Sequence, residues 1–86
     1  MNDYRQDFND WVDNEFDHQM LTEMMLLVDF DELKNRMKAR MEMGHQLYGT
    51  TMFDRKPKWF YSEAMDELAD FGVYNWGDAN VEKYRD

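Results

Sequence analysis

An all-α fold, a small single-domain bundle of three to five helices over residues 1–86, is predicted by three observations. Apolar residues recur at helical spacing along most of the chain, acidic N-cap signals open several of the periodic segments, and no strand-like alternation persists beyond a few residues. A chain of this length buries roughly 60–65% of the surface its unfolded form exposes, so the expected core is small. Fourteen aromatic residues and nine methionines supply much of its apolar volume.

The first helix is expected to begin near Tyr4, because Asp3 followed by Gln6 has the spacing of a capping box. Tyr4, Phe8, Trp11 and Val12 then share one side, with Asp7, Asp10 and Asp13 on the other. Phe16, Met20, Met24 and Leu27 continue the period past Asp13-Asn14, so residues 4–28 form either one bent helix or two. The sharpest boundary follows. Asp29 and Glu32 form a capping box, and Val28 and Leu33 have the spacing of a hydrophobic staple. The helix that starts there should bury Phe30, Leu33, Met37, Met41 and Leu47 or Tyr48, and end at Gly49.

Residues 49–57 read as a loop, with Pro57 in the first turn of the next helix. Arg55, Lys56 and Lys58 gather at that helix N-terminus, where a phosphate is favoured by dipole and charge together. The fourth helix is expected from about Lys58 to Trp76. Gly77 is its expected stop, and Asp78 the cap of a last short helix over Ala79 to Arg85.

Charge is distributed in three blocks: residues 1–32 carry net −9, residues 33–58 net +5 and residues 59–86 net −5. A total of −9 disfavours direct binding to nucleic acid or to an anionic membrane by the whole surface. The longest apolar run, Met24 to Val28, is far short of the ~20 residues that span a bilayer. The chain begins Met1-Asn-Asp without a basic segment leading into an apolar one, and it has no cysteine, so a cytoplasmic setting is expected.

Nucleophilic catalysis has little to work with. Ser62 is the only serine, and neither His18 nor His45 stands in a triad context or at zinc-ligand spacing, so no catalytic residue and no resident cofactor is expected. The remaining chemistry is carboxylate chemistry. Glu63, Asp66, Glu67 and Asp70 share one helical stripe, and Phe60, Ala64, Leu68 and Phe71 form another beside it. Such a stripe either binds a cation or presents negative charge to a basic partner.

The segment Asp66-Glu67-Leu-Ala-Asp70, followed by the apolar and aromatic run Phe71 to Tyr74, resembles the metal helix of the MazG-like all-α nucleotide pyrophosphohydrolases. Arg40-Met-Glu-Met-Gly-His-Gln-Leu-Tyr-Gly49 is similar to the helix end before the loop in phage relatives, and the resemblance covers residues 36–76. It implies Mg²⁺-dependent hydrolysis of a nucleoside triphosphate, with Glu67 and Asp70 as metal ligands. The family's second pair, ExxE on the preceding helix, is represented by Glu42 alone.

The reading carried forward is a small acidic binding protein, a phage-type inhibitor or DNA mimic whose helical carboxylates occupy a basic surface of a partner protein. That partner is of the nucleic-acid-binding kind. The residues expected to contact it are Asp7, Asp10, Asp13, Asp17, Glu63, Asp66, Glu67 and Asp70. An apolar patch left over by the small core would bring together copies of the chain as a homo-oligomer.

Overall fold

Four α-helices and one 3₁₀ helix make up the computed structural model, which describes residues 3–85. They are α1 (Tyr4–Asn14), α2 (His18–Leu26), α3 (Phe30–Tyr48), the 3₁₀ helix (Gly49–Phe53) and α4 (Trp59–Tyr84). No strand occurs among the described residues, and none of these helices is long and apolar enough to cross a membrane.

Side-chain caps account for three of the helix starts. Asp3 accepts from the Arg5 N–H at 2.9 Å, Asp17 from the Met20 N–H at 2.8 Å and Asp29 from the Glu32 N–H at 3.0 Å. Asp17 decides the question left open for residues 4–28. Its backbone is fully extended, and it opens a separate α2 after Glu15 and Phe16 have folded their N–H groups back onto the Trp11 carbonyl. The reciprocal half of each capping box is spent elsewhere: the Gln6 amide reaches forward to Asp10, and the Glu32 carboxylate pairs with Arg36 at 2.6 Å.

Gly49 terminates α3 as expected. Its φ of 53° and ψ of −133° lie where a side chain is strained, and its N–H returns to the His45 carbonyl. The segment read as a loop begins as the 3₁₀ turn, with the Thr51 hydroxyl donating to the Tyr48 carbonyl at 2.6 Å. Pro57 lies before α4 and not inside its first turn. The Trp59 N–H bonds to the Lys56 carbonyl at 3.1 Å, closing a turn with Pro57 and Lys58 at its centre. Lys58 has φ 68°, so this is the type II pattern with a lysine where glycine is preferred.

The largest departure from expectation is at Gly77, where α4 continues without a break to Tyr84. The stop at Gly77, the cap at Asp78 and the short terminal helix are all overturned. A glycine inside a helix costs only about 1 kcal/mol relative to alanine. Residues on both sides of it are held: Trp76 packs on Phe8 at 5.3 Å between ring centroids, and Tyr84 on Tyr4 at 6.2 Å. Asn75 and Asn80 also return their amides to the carbonyls of Phe71 and Trp76, both at 2.8 Å.

The chain forms two units. One comprises α1, α2 and α4 from Glu67 onward; the other comprises α3, the 3₁₀ turn and the chain up to Asp66. In the first, α1 runs antiparallel to the end of α4, joined by an aromatic chain through Tyr4, Tyr84, Trp76, Phe8, Trp11 and Phe16. In the second, the 3₁₀ turn folds back on the end of α3, and Met52 lies against Gly44. Arg55 then stacks between the rings of Tyr48 and Trp59, at 4.8 and 4.7 Å.

None of the described residues is fully buried; the best covered are half-buried. The stripe expected to be the buried face of α3 stands in solvent, with Phe30 60%, Leu33 44%, Met37 60% and Met41 59% exposed. Leu47 and Tyr48 are exposed as well. The 3₁₀ turn reaches only the C-terminal end of the helix, so most of the stripe has nothing to pack against in its unit.

Candidate functional site

The eight carboxylates singled out from the sequence divide by what the fold does with them. Asp7 is half-buried, because α1 turns it toward α4 beside Tyr4, Phe8 and Trp11. Its carboxylate accepts a hydrogen bond from the Tyr84 hydroxyl and lies 3.8 Å from the Lys83 ammonium. That hydrogen bond, then burial and the charge of Asp7, push the Tyr84 phenol up to about 12 from its ordinary 10.0. Asp7 is thus a tie between α1 and α4 and stands apart from the outer face on which it was expected.

Asp10 and Asp13 do lie on the outer face of α1, both exposed, and Asp10 accepts from the Gln6 amide at 2.9 Å. Asp17 is exposed but committed as the cap of α2. Just ahead of this face, the Arg5 guanidinium bonds the Asp3 carboxylate and holds it below the usual carboxylate range.

Glu63, Asp66, Glu67 and Asp70 are all exposed on α4. The helix is regular through this stretch, so the i, i+3, i+4, i+7 spacing makes a real stripe. Among the described residues, none of the four takes part in a salt bridge. No three His, Asp or Glu side chains among the described residues converge as a metal centre would require. Glu42 on α3 accepts from the Gln46 amide at 3.3 Å. His18, in the first turn of α2, and His45, in the last turn of α3, are exposed.

The basic cluster before α4 is put to two uses. Arg55 is the half-buried filling of an aromatic sandwich, and its Nε is buried without a hydrogen-bond partner. Lys56 and Lys58 are exposed, and their carbonyls already accept from Trp59 and Ser62. Tyr48, Arg55 and Trp59 stand on the end of α3, the connecting segment and the start of α4, so the sandwich depends on how the chain turns between the two helices and is invisible in the sequence.

A second feature missed from the sequence is an open apolar groove on the first unit, lined by Tyr4, Val73, Tyr74, Trp76, Val81 and Tyr84. The i, i+4, i+8 spacing of Trp76, Asn80 and Tyr84 was its available signal, masked by reading Gly77 as a helix end. Comparisons of the chain with protein-family models, with curated proteins and with solved structures found no match.

Proposed function

We propose that this chain is a protein-binding module that sets its helical carboxylates on a basic surface of a partner. The observation that carries this reading is the exposed stripe of Glu63, Asp66, Glu67 and Asp70, free of salt bridges among the described residues. Asp10 and Asp13 add a second outward-facing pair on α1. Carboxylates held on a regular helix repel one another at a cost of a few tenths of a kcal/mol per like pair, which an opposing basic surface relieves. A nucleic-acid-binding groove is such a surface, since it is built to accept a row of phosphate charges. Occupying it inhibits by mimicry, with fast and salt-sensitive association.

The test is a pull-down at low ionic strength, followed by titration of the purified partner. The expected partner is basic, loses affinity steeply as salt is raised, and is competed off by duplex DNA. Asp66→Asn and Asp70→Asn each weaken it by about threefold, the scale of an exposed ion pair. A partner whose affinity ignores salt and both substitutions would remove the electrostatic basis of the reading.

A further inference from the structure

The charges of α3 are sorted by side. At helical spacing Phe30, Leu33, Met37 and Met41 form one stripe, with Lys34 and Lys38 along one border and Arg36 and Arg40 along the other. The acids of the helix, Asp31, Glu32 and Glu42, fall beyond these bases, on the side turned away from the stripe. All four stripe residues and all four bases are exposed. The Lys34 ammonium sits 5.4 Å from the centre of the Phe30 ring, so its charge is held at the margin of the stripe. Arg36 is engaged by Glu32, whereas Lys38 and Arg40 enter none of the salt bridges among the described residues.

What covers this face must bring negative charge to both borders at once. Two α3 helices set face to face oppose bases to bases whichever way they run. On α4, Glu63 and Glu67 border the Phe60–Ala64–Leu68 stripe along one side only, which leaves a basic border of α3 unmatched. The free length is also short for a helix pair. Met52 lies against Gly44 and Arg55 on Tyr48, both on the stripe's side of α3, so the uncovered part runs over residues 30–41. That is under two heptads, against the roughly three to four that sustain a coiled coil.

A planar anionic surface with an apolar layer beneath it meets both demands, and it repels only the acids that α3 already turns away. The same chemistry continues past the helix: the 3₁₀ turn carries Phe53, 76% exposed, and Lys56 and Lys58 follow it, both exposed. The chain's net −9 does not oppose this contact as a unit, because at physiological salt charges more than ~8 Å away are largely screened.

We infer that the occupant is an anionic lipid surface. α3 lies on it in the headgroup plane, with its apolar stripe at the acyl boundary and its border bases at the lipid phosphates. The helix rests on the bilayer without crossing it. The inference does not rest on the carboxylate stripe of α4.

Vesicle flotation of the full chain tests this, with circular dichroism to confirm that each variant is helical. The chain is expected to float with phosphatidylcholine vesicles holding about 30% phosphatidylserine and not with phosphatidylcholine alone. K38Q with R40Q should weaken binding by at least tenfold, at about fivefold per base. Met37→Lys should weaken it too, although it adds a positive charge, because the stripe then loses its central apolar residue. The chain has no cysteine, so Met37→Cys and Asn35→Cys each take a single environment-sensitive dye. On anionic vesicles the dye at position 37 should shift to the blue, while the dye at position 35, on the far side of α3, should not.

No flotation with the anionic vesicles overturns the inference, as does binding that K38Q with R40Q leaves unchanged or that Met37→Lys strengthens. A dye at position 37 already shifted in the chain alone overturns it as well, since the stripe would then be covered by this chain or a second copy. So does an acidic protein that shifts that dye where vesicles do not.

Discussion

Tyr84 and Asp7 stand 77 positions apart in the chain and share one proton-bearing contact. The contact stabilises the protonated phenol in the fold, so its contribution is fully present below the ordinary pKa of 10.0 and is lost as pH rises through about 12. Ultraviolet titration should show one of the five tyrosines ionising late. Asp7→Asn should return that tyrosine toward 10.0, and unfolding midpoints of the two proteins should converge above pH 12. None of this was legible beforehand, since Asp7 has the same periodicity as Asp10 and only the packing of α1 separates them. Asp29 is the opposite case, since its partner lies three residues away. Lys58 is a residue in the wrong conformation for its type, with φ 68°. A left-handed residue with a Cβ costs roughly 1–2 kcal/mol, and glycine forfeits part of that gain through unfolded-state entropy. Lys58→Gly should therefore raise stability by about 0.5–1 kcal/mol in urea denaturation.

At the scale of elements, the two glycines expected to end helices behave differently. Gly49 ends α3 because the chain turns there with positive φ; Gly77 lies inside α4, and a Cβ added to it would meet nothing within 4 Å. Gly77→Ala should accordingly stabilise α4 by about 0.5–1 kcal/mol, measured as a raised urea midpoint with unchanged slope. Substitution of a true terminator would do the reverse. Composition alone does not separate the two, because a glycine's helix penalty is smaller than the packing of Trp76 on Phe8 and Tyr84 on Tyr4. The α1–α2 break shows the same rule from the other side: Asp17, read as one more surface carboxylate, is the cap that opens α2.

At the scale of the whole molecule, the all-α class follows from the sequence, as do the starts of α1 and α3 and the end of α3. Caps and helical periods are local, with every partner within four residues, so the chain carries them wherever it goes. The stripe of Glu63, Asp66, Glu67 and Asp70 is legible for the same reason, since spacing on one helix decides it. Tertiary structure alone decided that α4 runs through Gly77, that Asp7 faces Tyr84, that Arg55 lies between Tyr48 and Trp59, and that Phe30, Leu33, Met37 and Met41 are uncovered. Periodicity states which side of a helix is apolar and is silent on what lies opposite, because burial depends on residues far away in the chain or in another molecule.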